Sequence, residues 1–268
     1  MRKDKGTKII LLEKPRLKNP ILIQGLPGVG NVGRIAAGYL IEELKAKKFA
    51  ELISSHFMPL VLVNPDSTTH VLKNEFFYWK AKKKNQNDLI ILVGDSQSVD
   101  PIGHYEIVTE VLNFAKKFKV KEIFTLGGLG IGEKVLEPKV IAISNNPKTA
   151  KQYKKYGVIL DNGSRVSTIV GAAGLVVGLS RYYGIKATCF LAETSGLIAF
   201  PDNKAAEAVL KVLIKILKIK IDLTKLEKRV KSMEDYIKKM IEAQKGALYE
   251  QLAKLAKEKG KEEITYIG

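Results

Sequence analysis

Short apolar runs alternate with helix-spaced segments along roughly the first 220 residues, and this alternation narrows the accessible folds more than any other feature. KIILL (8–12) and PILIQ (20–24) read as strands. A helix is expected over 31–47, with Ile35, Tyr39, Leu40 and Leu44 on one face. Residues 51–57 and 59–63 read as strands, and EFFYWKAKKKNQNDLIILVGD as strand, polar turn and buried strand. From Pro101, the stripe Tyr105, Val108, Val111, Leu112, Ala115 and Phe118 predicts a helix. KEIFTLGGLGIGE reads as a strand running into a glycine-rich turn, KVIAIS as a strand and PKTAKQYKKY as a short polar helix. A buried helix with small residues at Gly171, Gly174 and Gly178 then leads to a last core strand, KATCFLAET. A helix opening at Pro201 points Ala205, Val209, Val212, Leu213 and Ile216 inward. The pattern is that of an α/β domain, a mainly parallel sheet with helices on both faces. Ligands of such sheets bind at the carboxyl ends of the strands.

After Ile221 the strand signal stops. Leu223, Val230 and Ile237, and likewise Leu226, Met233 and Met240, recur every seven residues among mostly charged neighbours. The division expected is an α/β core over 1–221 and a C-terminal helical arm and tail over 222–268. The narrow stripe fits a helix docked on the domain or an arm used for self-association or partner capture.

Composition excludes several classes. The chain has 268 residues, 46% hydrophobic and 27% charged, enough to bury a real core. No apolar run approaches the roughly 18 residues of a membrane span, and the start lacks a signal-peptide core. A lone Cys189 excludes a disulfide framework and a cysteine zinc site. A cytoplasmic protein is expected. The net charge of +17 raises a nucleic-acid partner, but only six of the 45 basic residues are arginine and the lysines are scattered. Base readout favours arginine, so nucleic acid is not expected. Abundant Lys, Glu and Ile suit a hot environment.

The glycine stretch GLPGVGNVG needs separate treatment. Gly25 to Gly30 has P-loop spacing, but Asn31-Val32 stands where Lys-Ser/Thr is required. Gly28, Gly30 and Gly33 also spell a dinucleotide fingerprint, yet the second strand ends Ser55-His56-Phe57 without the expected acid. The alternative is a tight turn and close helix-on-sheet packing. A second run, Gly127, Gly128, Gly130 and Gly132, could complete an anion pocket or line an interface. Asp100 before Pro101 reads as a helix cap. Glu193 and Ser195 end the last strand without a G-x-S-x-G elbow, so Glu193 is expected as a hydrogen-bond acceptor. Cys189 and Trp79 read as core. His56, His70 and His104 are not spaced for a metal. No catalytic residue, cofactor or metal is assigned.

PILIQGLPGVGNVGRIAAGYLIEEL resembles the opening signature of the proteasome assembly chaperone family in its archaeal single-chain form. The resemblance continues through LIILVGDSQS, FTLGGLGIGE, GVILDNGSRVSTIVGAAGLVVGLSRYYGIKATCFLAETSG and PDNKAAEAVLKVL, covering roughly residues 18–230 in order. It implies an α/β core similar to nucleoside phosphorylases, no established catalytic centre, and homo-oligomers with projecting C-terminal segments. It also implies proteasome subunits or another assembly-related protein as partners. Some members are similar to ATP-independent proteasome activators that end in hydrophobic–Tyr–any and dock on the 20S α-ring. Here the end is Ile264-Thr265-Tyr266-Ile267-Gly268, one register off that pattern. The expectation is a non-enzymatic, oligomeric protein-binding scaffold that engages partners through its arms. The alternatives are an α-ring activator acting through Ile264, Tyr266, Ile267 and Gly268, and a phosphate- or nucleotide-handling enzyme at the glycine loops.

Overall fold

The computed structural model describes residues 6–161, 163–196 and 201–233. Among these residues, eleven strands and five α-helices alternate between Thr7 and Leu217. The strands are β1 (Thr7–Leu11), β2 (Ile21–Gly25), β3 (Lys47–Ser54), β4 (Val61–Val63), β5 (Thr69–Val71), β6 (Asn74–Trp79), β7 (Leu89–Gly94), β8 (Glu122–Gly130), β9 (Val140–Ser144), β10 (Ile159–Leu160) and β11 (Lys186–Thr194). The helices are α1 (Val32–Leu44), α2 (Pro101–Lys117), α3 (Pro147–Tyr153), α4 (Ala172–Ser180) and α5 (Asn203–Leu217). Residues 224–233 are helical as well. The chain divides into one compact unit ending at Leu223 and a second beginning at Thr224.

Nine strands form one sheet in the order β1-β3-β6-β7-β2-β8-β11-β9-β10, and β4 with β5 makes a separate hairpin. The centre, β7-β2-β8-β11, is parallel. The flank β1-β3-β6-β7 and the β11–β9 pair are antiparallel. The parallel strands explain their own sequences. ILIQG in β2 is buried throughout, because helices cover both faces of a parallel centre. On one face α1 and α5 pack together and on the strands; on the other α2 packs beside α4.

Aromatic side chains fill both layers. Phe76 and Phe114 lie 4.5 Å apart between ring centroids, with Phe49 and Phe118 beside them. Phe124, Phe190 and Tyr153 form a second group, with centroids 5.4–5.7 Å apart. Burying each such ring contributes about 2–3 kcal/mol. The Tyr153 hydroxyl donates to Glu122 Oε1 at 2.5 Å. Burial there raises the Glu122 carboxyl above its ordinary range and raises the Tyr153 phenol strongly.

Four local expectations change. The first helix stops at Leu44, where Lys45 turns left-handed (φ 51°) and caps it. Residues 55–57 form a turn after β3, since Ser54 already closes the strand. Tyr105 is 55% exposed, and the buried stripe of α2 runs instead through Ile107, Val108, Val111, Leu112, Phe114 and Ala115. The second glycine run is no turn: Gly127, Gly128 and Gly130 are strand residues of β8, paired with Leu191, Ala192 and Thr194 of β11. Strand pairing with β11 overrides the usual glycine preference for turns. Gly132 lies just beyond, at φ 76°.

Candidate functional site

The carboxyl ends of β2, β7, β8 and β11 meet at one edge of the sheet, where such folds hold their ligands. The first glycine stretch leaves β2 there, makes a short 3-10 turn at Val29–Asn31 and enters α1. Its glycines serve contact. A Cβ on Gly25 would lie 2.1 Å from Gly33 O, and one on Gly33 would lie 2.2 Å from Leu126 O. The helix therefore rests directly on the backbone of β2 and β8. Gly30 has φ 60°, which a side chain rarely tolerates, and its C=O accepts the N–H of Asp202 at 2.7 Å. A Cβ on Gly128 would lie 2.5 Å from Val29 O, so the second glycine run lets the loop lie against β8. Gly28 is extended, with Gln97 Nε2 as the nearest atom at 3.8 Å from a built Cβ. Asn31 is left-handed (φ 54°), and its Oδ1 is buried with no hydrogen-bond partner.

Polar side chains tie the surrounding loops together. Gln97, after β7, donates through Nε2 to Pro27 O at 2.5 Å and accepts the Ala172 N–H at 2.9 Å. One carboxamide thus joins the glycine loop to the start of α4. Asp202 caps α5 by accepting the Ala205 N–H at 2.9 Å, and its other oxygen accepts from the Thr194 hydroxyl at 2.6 Å. Arg34 pairs with Asp95 at 3.3 Å. Glu193 accepts from Arg165 at 2.9 Å and from the Lys139 N–H at 3.2 Å. Asp161 accepts the N–H groups of Gly163, Arg165 and Val166, which draws residues 163–166 around its carboxylate. Among the described residues most polar side chains of this edge bond one another, and Asn31 Oδ1 is the exception.

The titratable residues follow the same logic. Asp100 caps α2 through Gly103 N–H at 2.7 Å and meets His56 Nδ1 at 2.8 Å; Glu106 lies 3.5 Å from His56 Nε2. The hydrogen bond to Asp100 raises the His56 pKa above its ordinary 6.5. The Gly103 N–H lowers Asp100, and the Thr7 hydroxyl lowers Glu106. With carboxylates at both ring nitrogens, His56 is placed as an ion-pair partner and is not aimed at a serine. Cys189 is buried, which pushes its thiol up to about 12, and Trp79 is buried too. Among the described residues no cluster of His, Cys, Asp and Glu could hold a metal, and no helix is long and apolar enough to cross a membrane.

Of the heptad residues, Leu226 is fully buried, while Leu223, Val230 and Met233 are half-buried. Ile237, Met240, Ile264, Tyr266, Ile267 and Gly268 lie outside the described residues. Sequence reasoning missed Gln97, Asp202 and the Arg165–Glu193 pair. Asp202, beside Pro201 and ahead of an amphipathic run, carried a legible cap signal; the other partners are distant in sequence.

The sheet is covered by helices on both faces, and side-chain hydrogen bonds join the loops at its carboxyl edge. The chain belongs to the PAC2 family, whose model matches residues 22–241. It is similar to Pyrococcus furiosus PbaB, described as an archaeal proteasome activator: 41% identity, TM-score 0.83, covering 88% of this chain and 99% of that one. It is also similar to P. furiosus PbaA, described as an archaeal homolog of proteasome-assembly chaperone, at 27% identity and TM-score 0.73, covering 98% and 100%. An uncharacterised protein of Methanocaldococcus jannaschii is 36% identical over 202 residues, 75% of this chain and 74% of that protein.

Proposed function

We propose that this chain is a non-enzymatic, self-associating protein that engages proteasome-related partners through its C-terminal segment, residues 222–268. The observation that carries the reading is the 41% identity with PbaB across 99% of that chain. The match extends over 88% of this chain at a TM-score of 0.83, which supports a related role. The mutually bonded loops at the carboxyl edge support a non-enzymatic role, since a catalytic group needs a reactive atom turned toward a substrate. Likeness to an activator favours activation over assembly between the two roles described for the relatives.

The test uses purified archaeal 20S proteasome and a fluorogenic peptide. The full chain is expected to bind and to accelerate hydrolysis, and a chain ending at Met233 is expected to lose both while keeping its melting temperature. Removal of residues 264–268 alone asks whether the tail docks. Equal binding by the full chain and the chain ending at Met233 would refute the role given to the C-terminal segment. Absence of binding by the full chain would refute the proteasome-directed reading.

A further inference from the structure

β1 is one of the two outer strands of the nine-stranded sheet, and no strand lies beyond it among the described residues. Its register with β3 runs from Thr7↔Ser54 to Leu11↔Ala50. Ser55 N–H donates to Gly6 O, and Leu12 N–H donates to Phe49 O, both at 2.8 Å. Even-numbered residues therefore turn their backbone groups toward β3, and the N–H and C=O of Ile9 and Leu11 point out along the free edge. Soluble proteins blunt such an edge with charge, proline or a bulge. Here β1 carries one charge, Lys8, and the apolar run Ile9-Ile10-Leu11-Leu12 follows, with its last three residues 44, 45 and 54% exposed. At its beginning the Thr7 hydroxyl lies 2.9 Å from the Ser54 hydroxyl of β3.

The sheet face carrying Lys8 and Ile10 opens into a groove of about 490 Å³ lined by Lys8, Ile53, Phe57, Met58, Leu60 and Val71. Beside it the β4–β5 hairpin shows Val61, Val63 and Val71, which are 52, 72 and 52% exposed. β4 and β5 pair only with each other among the described strands, and an isolated two-stranded hairpin is marginal in water.

We propose that the β1 edge is a self-association face, on which a second copy of this chain pairs its own β1 antiparallel about a two-fold axis at Ile10. The strand is self-complementary in this register. Two-fold antiparallel pairing sets residues of the same sheet face opposite each other, and Ile10 on Ile10 satisfies that rule. Ile9 then faces Leu11 of the second copy, and the outward backbone groups of both satisfy each other with about four hydrogen bonds. Leu12 of the second copy lands beside Lys8, at the mouth of the groove. An unrelated peptide would match the backbone edge equally well, but only a second copy supplies Leu12 at the groove through symmetry. The inference rests on the self-association in the reading above and assigns its surface.

The test uses the full chain and two measurements. Sedimentation compares wild type with Ile10→Lys, which sets like charges against each other on the axis at an exposed position; the variant is expected to fall to a smaller mass with an unchanged far-UV spectrum. Mild oxidation compares Ile10→Cys with Leu12→Cys. On the axis the two Cα atoms are about 4.5 Å apart, within disulfide range, so I10C is expected to give about tenfold more cross-linked dimer than L12C. Native Cys189 is buried and stays silent. If I10K does not fold, the cysteine pair decides. A monomeric wild type would overturn self-association itself. An oligomeric wild type with equal cross-linking of I10C and L12C would overturn this edge alone.

Discussion

Replacing Gly25 with alanine separates a packing role of the glycine stretch from a phosphate-binding one. The new Cβ would lie 2.1 Å from Gly33 O and 2.6 Å from Ala37 Cβ, against backbone and a helix that no rotamer change can relieve. Restoring ordinary contact requires α1 to move about 1 Å off β2. Because Gly33 sits on the Leu126 carbonyl, that movement also loosens α1 from β8. Overpacking of this kind costs about 1–3 kcal/mol, and the upper end applies where backbone is struck. The alanine returns about 0.4–1 kcal/mol by restricting the unfolded chain. The net loss is about 2 kcal/mol, which for a unit of this size lowers the melting temperature by about 4–8 °C. Gly28→Ala is the control. Its backbone is extended and its nearest neighbour is 3.8 Å away, so it is expected to melt within about 1 °C of wild type. A phosphate cradle predicts instead that added phosphate raises the melting temperature of wild type and fails to raise that of Gly28→Ala. Thermal unfolding followed by circular dichroism reads the difference. A Gly25→Ala melt equal to wild type, or a Gly28→Ala melt below it, would refute the reasoning.

Gln97→Ala leaves Pro27 O and the Ala172 N–H without their partner, which is expected to cost about 2 kcal/mol in urea unfolding; Gln97→Glu restores only the acceptor and should recover part of it. His56 has its pKa raised above 6.5, so its ion pairing stabilises fully below that value and is lost as pH rises through the folded pKa. The stability gap between wild type and His56→Gln should therefore shrink from about pH 6 to about pH 9, and a constant gap would count against the ion pair. Asp100 and Glu106, lowered, act in the opposite sense: their contribution is present above the ordinary carboxylate range and lost as acid protonates them. Cys189, with its thiol pushed up to about 12 and fully buried, should react with a thiol reagent only after denaturation; prompt labelling of the native chain would contradict that burial.

Much of the fold was legible locally. Apolar runs bounded by Gly, Pro and Asn marked β2, β7 and β11, and Asp100-Pro101 marked the start of α2, because periodicity and caps are short-range signals. Tyr105 was misplaced on the buried face because a one-residue shift of phase is invisible until a neighbour covers one side of the helix. The GGLG run was misread as a turn because glycine punctuation normally means a bend. Only pairing with β11 makes Gly127, Gly128 and Gly130 strand residues, and only the approach of Val29 O explains Gly128.

The candidate site divides the same way. The missing P-loop lysine and missing acid already argued against a nucleotide, since motif chemistry is written in consecutive residues. That Gln97 clamps Pro27 to Ala172, that Arg165 meets Glu193, and that β1 ends the sheet with an apolar edge could not be read there. Taken alone, the sequence determined the alternating α/β pattern, the helix caps and the glycines that bring α1 close. The tertiary structure decided the strand order, the partners across 70 or more residues of chain and the face left uncovered. The physical reason is that local propensity acts over a turn or a pleat, whereas pairing and exposure depend on which distant segments arrive in the same place.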